Sequence, residues 1–431
     1  MRPRLIVSPA HLPADTRHNW TASQKEGLSF GPTDAAGSFL PVLLARLGAS
    51  NVEVGLLSAI PSLAGFLLAV PIGQFLQGRR NVIPWYSRGR FINQLVLPAI
   101  GIALVVLPAD QAVPVILVLV GLSAVVGSFA NFCFYTVMDG LSGPNGRYEL
   151  MGRRWGMKGL ATAVSLAVIG WILANVPFPH SYQFVYIAVG VAAVIGFRYS
   201  STFRIPDQVR RPRPVGRRSP VASIRTFAAE MRAERRFLLF LGRHAVLGFG
   251  LSMAVPLIPL YYVRELGASD AWIGLIGTTQ AILTMSGYFL WRRVARRRTG
   301  GFWILVLCTA GVAAFPIGLA FTRIELAVAV IVGIYGICLA GIELAIFDEL
   351  MKAIPPAQAT RFAALDQGAS NFAGITAPII GALVAGALGI PAGLVVAGAV
   401  TMAGAVLFAA SVWGRRRASA VAAAETVTSS S

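Results

Sequence analysis

Charged residues are scarce in this sequence of 431 residues. Asp, Glu, Lys and Arg together make up 13% of it, about half the share usual in a soluble globular domain, which argues against a water-soluble fold. The three cysteines lie in apolar stretches without paired spacing, so neither a disulfide framework nor a cysteine-ligated metal is expected. The four histidines show no metal-ligand spacing.

Motifs for chemistry are also missing. The sequence contains no G-x4-G-K-[ST] loop to hold phosphates, which excludes an ATP-driven pump powered by this chain alone. No arrangement of residues indicates hydrolysis or group transfer. We therefore expect neither an enzyme nor a bound cofactor, metals included.

Apolar residues, in contrast, are abundant, at 56% of the chain with a mean hydropathy of +0.68. Some apolar stretches reach about 20 residues, the length of helix that crosses a hydrocarbon core of roughly 30 Å. They predict an all-α membrane protein with twelve transmembrane helices, at residues 24–46, 52–77, 85–108, 112–138, 149–175, 181–202, 237–264, 270–292, 301–321, 325–350, 362–388 and 391–413.

The net charge of +19 indicates how the chain is oriented in the membrane and does not indicate a charged binding partner. Of the 37 Lys and Arg, 33 fall in the two termini and in the turns on the same side, 3 fall on the opposite side, and Arg243 lies inside the seventh predicted helix. Cytoplasmic loops carry such an excess of basic residues. The pattern predicts that both termini are cytoplasmic, and it argues against nucleic acid as a partner. We expect the chain to lie in the inner or plasma membrane of the cell.

The hydrophobic pattern also divides the chain. One long break, from 204 to 236, is dense in Arg and Pro, and we expect a cytoplasmic linker there. Its second part is open to two interpretations, a basic amphipathic helix on the anionic inner leaflet or a solvated tether. The predicted organisation is a cytoplasmic tail over 1–23, six-helix bundles over 24–203 and 237–414, and a disordered cytoplasmic tail over 415–431, which lacks the apolar area to fold.

A repeat relates the two predicted bundles. Residues 30–50 read FGPTDAAGSFLPVLLARLGAS, and residues 249–269, at an offset of 219, read FGLSMAVPLIPLYYVRELGAS. A second stretch, VGLSAVVGSFANFCF from Val120, is echoed at an offset of 212 by VGIYGICLAGIELAI from Val332. Parallel repeats related by an axis along the membrane normal are typical of transporters, whose substrate lies near the midplane between the halves.

With these features the sequence resembles the major facilitator superfamily. The resemblance rests on six plus six helices, a long basic loop after the sixth, the phrase P-x4-R-L-G-A-S from Pro41 to Ser50, Gly55, and the P-x-G of residues 71–73. It spans residues 20–414. The loop after the second helix departs from the family pattern, because Gln77 stands at the usual Asp position and the loop is short. Helix 4 lacks the intramembrane Arg, and helix 5 the Gly-Pro signature, of many proton-driven drug antiporters.

The resemblance implies a secondary active transporter that moves a small organic solute by alternating access. We expect it to work as a monomer in the lipid bilayer and to be coupled to protons, with antiport slightly ahead of symport. A second hypothesis remains open: a transporter-like membrane protein that does not transport and acts as a sensor or assembly partner.

Two carboxylates inside predicted helices are the candidates for proton coupling. Asp34 lies near the centre of the first helix, where an ionised group is costly, directly after the Gly31-Pro32 pair. The same residue could instead cap a half-helix that begins after a break at Pro32. Glu343 lies in the tenth helix, where burial favours the neutral carboxyl that can exchange a proton. A permanently protonated Glu343, hydrogen-bonded to a neighbouring helix, is the competing interpretation.

Neutral polar residues at helical spacing are candidates for the substrate site, because polar stripes in lipid turn inward. They are Ser38, Asn131, Tyr135, Gln280 and Thr284. Hydrogen bonds between helices would equally explain any one of them.

Charged residues at the cytoplasmic helix ends are candidates for ion pairs that close the inner gate. They are Asp139, Arg147, Glu149, Arg154, Lys158, Asp348, Arg361 and Asp366. Exposed pairs contribute only about 0–1 kcal/mol each, so some of these residues are expected to be simply solvated. Arg243 and His244 either belong to this gate or, as we favour, extend to the inner membrane face.

Overall fold

Helices make up most of the residues that the computed structural model describes, which are 14–77, 79, 81–205, 234–295, 300–353 and 359–428. No strand occurs within those ranges. In lipid, the N–H and C=O groups of the backbone must hydrogen-bond to one another, and a long apolar segment achieves this by forming a helix. Most of the predicted linker, over 206–233, lies outside the described residues, as do Gly78 and Arg80 of the loop after the second predicted helix.

Seven helices lie among the described residues up to 205. They are α1 (Ala14–Ser38), α2 (Leu40–Arg46), α3 (Asn51–Gln77), α4 (Ile83–Gln94), α5 (Val96–Val106), α6 (Ala109–Asn175) and α7 (His180–Ser200). The predicted third helix corresponds to α4 and α5 together, and the predicted fourth and fifth helices are the two apolar spans of α6, Gln111–Ser142 and Leu150–Asn175.

Six further helices follow in the described ranges between 234 and 428. They are α8 (Arg235–Leu260), which continues as a π-helical turn over Tyr261–Glu265, then α9 (Asp270–Ala295), α10 (Gly300–Ala320), α11 (Glu325–Ala353), α12 (Ala359–Leu388) and α13 (Ile390–Thr428). The last helix runs beyond the apolar stretch and into the tail that was expected to be disordered. Its extension is rich in Ala, the residue with the highest helix propensity.

Eleven helices among the described residues are long and apolar enough to cross a membrane. The predicted first helix is the exception. It corresponds to α1 and α2, and α1 carries polar residues such as Lys25, Glu26 and Asp34 along its length. The all-α membrane fold is therefore confirmed, with α1 as an unusually polar member.

The predicted break at Pro32 is wrong. Helix α1 passes through Pro32 and ends at Ser38, so the break comes at Phe39, just before Pro41 at the start of α2. A proline removes one backbone hydrogen bond, but packing against neighbouring helices can hold the helix through it. Asp34 thus lies within α1, and the interpretation of Asp34 as a helix cap is wrong as well.

The structure divides into two compact units. The first comprises Met1–Val215 and Pro259–Ala281, and the second comprises Gly216–Ile258 and Ile282–Ser431. The first unit thus includes the end of α8 and the first half of α9. Its core contains Trp20, Tyr86, Cys133, Met138 and Phe203. The core of the second contains Phe237, Phe240, Cys308, Val312 and Phe408.

Helix α1 is held closely against α6 in the first unit. A Cβ placed on Gly31 would lie 2.4 Å from the Cβ of Ala161 and 2.7 Å from its carbonyl carbon. Only glycine permits this distance between the two backbones, which brings the polar side chains of α1 to the second span of α6.

We expect Gly31→Ala to destabilise the protein, because the added methyl must displace the α6 backbone at a cost of about 1–3 kcal/mol. Thermal unfolding in detergent measures the effect. Gly37→Ala is the matched control on the same helix, since nothing lies within 4 Å of its added Cβ. Equal melting temperatures for the two variants would contradict close packing of α1 on α6.

Candidate functional site

One face of α1 carries the site. Glu26, Phe30 and Asp34 follow one another at intervals of four residues, so their side chains lie along the same face. Ser23, Glu26, Ser29 and Thr33 are buried. Polar groups inside an apolar bundle are costly unless they are paired, so the partners of this face define what it does.

Glu26 is the most thoroughly paired of these residues. Its Oε2 accepts hydrogen bonds from Arg154 Nε at 3.1 Å and from a terminal nitrogen of Arg154 at 2.6 Å. Its Oε1 accepts a hydrogen bond from the Tyr86 hydroxyl at 2.9 Å and lies 3.0 Å from Arg90 Nε. Glu26 and Arg154 are each only 1% exposed. One carboxylate therefore neutralises part of two guanidinium groups, which come from α4 and α6.

Aromatic rings surround these two arginines. The Arg90 guanidinium lies 3.8 Å from the centre of the Phe30 ring, and that of Arg154 lies 5.0 Å from the centre of the Phe134 ring. A cation over an aromatic face gains about 0.5–2 kcal/mol, with the larger value where water is excluded. The rings thus offset some of the cost of burying a cluster that holds more positive than negative charge.

A second ion pair lies two turns further along α1. Lys158 Nζ on α6 is 2.6 Å from Asp34 Oδ2, and the Asp34 side chain is 39% exposed. The Lys158 amine also lies 5.1 Å from the centre of the Phe30 ring and 5.4 Å from that of Trp155. Phe30 is therefore close to both Arg90 and Lys158, and the pair at Asp34 is the more exposed end of the charged face.

Arg154 and Lys158 were expected at the inner gate, and the structure places both of them against α1 within the first unit. The reason is the close packing of α1 on α6, which leaves Arg154 beside Glu26 and Lys158 beside Asp34. Asp139 and Asp348 are exposed at the ends of their apolar spans. The side chains of Arg147, Glu149 and Arg361 lie outside the described residues.

The second unit contains two polar pairs of its own. The Tyr288 hydroxyl on α9 donates a hydrogen bond to Glu343 on α11. His244 Nδ1 on α8 lies 2.7 Å from Asp366 Oδ1 on α12. Arg243 and His244 were expected to extend to the membrane face, but His244 pairs with Asp366 instead. This pair adjoins a small cavity lined also by Gly248, Ser252 and Ser370.

The predicted substrate residues are spread over both units. Ser38 donates its hydroxyl to the backbone oxygen of Asp34 at 3.0 Å, and Asn131 is exposed on α6. Gln280 belongs to the first unit, and Thr284 to the second. The side chain of Tyr135 lies outside the described residues.

The prediction from sequence missed Glu26, Tyr86 and Arg90. Arg90 had been counted with the turn charges, although it lies inside the predicted third helix. The regular spacing of Glu26, Phe30 and Asp34 on one helical face was the signal that could have revealed the cluster.

The two copies of the repeated phrase bind each other reciprocally in the first unit. Arg46 donates to the Ala268 oxygen at 2.9 Å and to Asp270 Oδ1 at 3.0 Å. Arg264 donates to the Ala49 oxygen and to Asn51 Oδ1, the latter at 2.7 Å. Ala49 and Asn51 stand 219 positions before Ala268 and Asp270, so equivalent residues accept the two arginines.

The turns that present these acceptors are alike. Gly48 and Gly267 both have positive φ, at 84° and 62°, a conformation that glycine adopts without strain. The repeat at Leu-Gly-Ala-Ser thus encodes one turn used twice. We name these reciprocal contacts of Arg46 and Arg264 the repeat latch.

Residues 244–429 match the model of the family described as Major Facilitator Superfamily. No curated protein matches the sequence significantly.

Solved structures of transporters share the fold. A bacterial homologue of the iron transporter ferroportin, in an inward-facing state, superposes with a TM-score of 0.69 at 14% identity over 90% of this chain and 97% of its own. The nucleoside transporter NupG does so with a TM-score of 0.66 at 12% identity, covering 92% and 99%. A bacterial homologue of the lysosomal transporter Spinster gives 0.64 at 13% identity, covering 92% and 97%.

We expect Glu26→Gln to destabilise the protein strongly. Removing one partner of a buried ion pair costs about 3–5 kcal/mol, because the remaining charge stays buried without compensation, and here two guanidinium groups depend on one carboxylate. Thermal unfolding of the purified protein in detergent is the measurement. Glu265→Gln, which removes the same charge at an exposed position, is the control. Equal stability of both variants would show that the buried cluster does not hold α1 in place.

Proposed function

We propose that this chain, which shares the fold of solved transporters and whose residues 244–429 match the Major Facilitator Superfamily model, is a proton-coupled secondary active transporter of a small organic solute. It works by alternating access, as a monomer in the cell membrane with both termini in the cytoplasm. The resemblance slightly favours proton antiport over symport, whereas the ion pair of Asp34 and Lys158 favours symport.

The ion pair of Asp34 and Lys158 carries the proposal. Both residues lie within the first unit, which is largely apolar, yet the Asp34 side chain is 39% exposed and the Lys158 side chain 19% exposed. Two charged groups that faced lipid would be costly at this depth, so the exposed side of the pair faces a water-filled cavity. A carboxylate that water reaches inside a bundle can gain and lose a proton.

Protonation of Asp34 changes the charge available to a solute. While Asp34 is ionised it neutralises Lys158, and once it is protonated the lysine is free to bind another group. Proton uptake at Asp34 therefore promotes solute binding, because it releases the cation to which the solute binds. This is the differential interaction that a coupled transporter requires.

Glu343 supplies a second candidate group, in the other unit. Its side chain is exposed and accepts a hydrogen bond from Tyr288, so it is both reachable and held in one orientation. This hydrogen bond joins α9 and α11 through Glu343. We include Glu343 in the proposal as a second group that exchanges protons.

The repeat latch serves as a gate in this mechanism. Arg46 and Arg264 hold the two copies of the repeated phrase together on the side opposite the termini, and opening of that side requires these hydrogen bonds to break.

We expect Asp34→Asn and Glu343→Gln each to abolish solute flux driven by a pH gradient in sealed proteoliposomes, while exchange of labelled for unlabelled solute continues. An amide cannot carry the proton, but it leaves the binding site in place. Glu265→Gln is the control for an exposed acid outside the site. Unchanged driven flux in both variants would refute the coupling, and inertness of the folded wild-type protein toward a broad solute panel would favour a sensor.

We expect the double variant Arg46→Ala, Arg264→Ala to open the latch side more often, because the five hydrogen bonds of the repeat latch are lost. A cysteine introduced at Ser38 should then react faster with a membrane-impermeant thiol reagent added on that side. Arg323→Ala, which removes a basic residue from the same side, is the control. Equal labelling rates in the latch and control variants would show that the latch does not gate access.

A further inference from the structure

The charged face of α1 holds more cations than anions. The described side chains that it joins by ion pairs are two acids, Glu26 and Asp34, and three bases, Arg90, Arg154 and Lys158. One positive charge therefore has no counter-ion among them. A buried surplus of charge is costly unless a partner of opposite charge neutralises it.

Arg90 is the base whose pairing is least complete. Arg154 makes two hydrogen bonds to Glu26, whereas Arg90 approaches the same carboxylate through Nε alone and outside hydrogen-bond geometry. Among the described residues, no acceptor is hydrogen-bonded to the terminal nitrogens of Arg90. These two nitrogens form the planar fork with which arginine binds carboxylate and phosphate groups.

Arg90 and Lys158 lie close enough to act on one ligand. The distances from the Phe30 ring centre to the Arg90 guanidinium and to the Lys158 amine are 3.8 Å and 5.1 Å, so the two cations are at most 8.9 Å apart. Each is about 10–12 Å inside the start of its apolar span at 1.5 Å per residue, which puts both at a similar depth.

An entry route leads along the same face. The exposed fraction of the side chain rises from 2% at Glu26, through 12% at Arg90 and 19% at Lys158, to 39% at Asp34. Trp155, beside Lys158, is 51% exposed. A ligand that arrives at the Asp34 end therefore meets Lys158 first, then the Phe30 ring, and Arg90 behind it.

We propose that the transported solute is an organic anion, whose carboxylate or phosphate group is bound between Lys158 and the fork of Arg90 and whose apolar part lies against Phe30 and Trp155. This inference rests on the proposed transport function and specifies its substrate class. The anion supplies the missing counter-charge, and protonation of Asp34 frees Lys158 to receive it.

Matched pairs of acids and their amides test the charge requirement. Benzoate against benzamide, lactate against lactamide, and succinate against succinamide differ in charge far more than in shape, and phenyl phosphate serves as the phosphate probe. Binding to the purified full-length protein in detergent is measured by the shift in melting temperature and by the change in Trp155 fluorescence. The variant Trp155→Phe removes the fluorescence signal and identifies its source.

We expect acids to stabilise the protein and to bind about tenfold or more tightly than their amides, since charge-assisted hydrogen bonds are the stronger ones. Arg90→Gln and Lys158→Gln should each abolish this preference, and Arg90→Lys should keep part of it. Arg88→Gln removes the same charge from an exposed position of α4 and should leave the preference intact. The melting temperature of each unliganded variant shows whether it is folded.

Equal binding of acids and amides, binding of neither, or an acid preference that survives in folded Lys158→Gln or Arg90→Gln would overturn the inference. Its failure is separable from that of the proposed function. Acid binding without any gradient-driven flux would refute coupled transport and keep the anion site, whereas driven flux of a neutral solute would do the opposite.

Discussion

The buried carboxylate of Glu26 is the interaction on which the first unit depends. Among the described ion pairs, Glu26 is the anion that neutralises the guanidinium groups of Arg90 and Arg154. Without it, burial of the polar face of α1 would not be stabilised by these ion pairs. With it, α1 is fixed against α4 and α6 at one depth and in one rotation. The position of Phe30 and Asp34, one and two turns further on, follows from that rotation because helical geometry leaves no freedom between them.

A polar helix inside an apolar unit is the feature that connects this packing to transport. The eleven apolar spans are suited to the hydrocarbon core of the bilayer. Helix α1 instead packs inside the first unit and carries charged side chains to a depth where charge is costly. The cost is reduced at the Glu26 end by the ion pairs of Glu26 with two arginines and, in the proposed mechanism, at the Asp34 end by water. The repeated phrase closes the far end, since its two copies exchange equivalent hydrogen bonds. A buried anchor, an open ion pair and a breakable latch thus follow one another along α1 and α2.

Sequence patterns predicted the fold well and the site only in part. Apolar run length identified the spans, and the offset of 219 identified the two phrases that form the latch. Asp34 was singled out as a candidate because it lies near the centre of a predicted transmembrane helix. Glu26 and Arg90 were not, because a charge near the end of a span looks like a loop residue until the partner helix is known. Arg154 and Lys158 were read as gate residues for the same reason. The break at Pro32 failed because tertiary packing overrides a local signal.

Access of water to the charged face of α1 can be tested directly by labelling. In a variant without Cys133, Cys308 and Cys338, a single cysteine is placed either at Gly37, which has open space beside the Asp34 end, or at Val191, an exposed apolar position in the middle of α7. In sealed vesicles, a membrane-impermeant thiol reagent should label the cysteine at position 37 and spare the one at 191. Labelling at 191 with none at 37 would mean that α1 faces lipid, and the account would be contradicted.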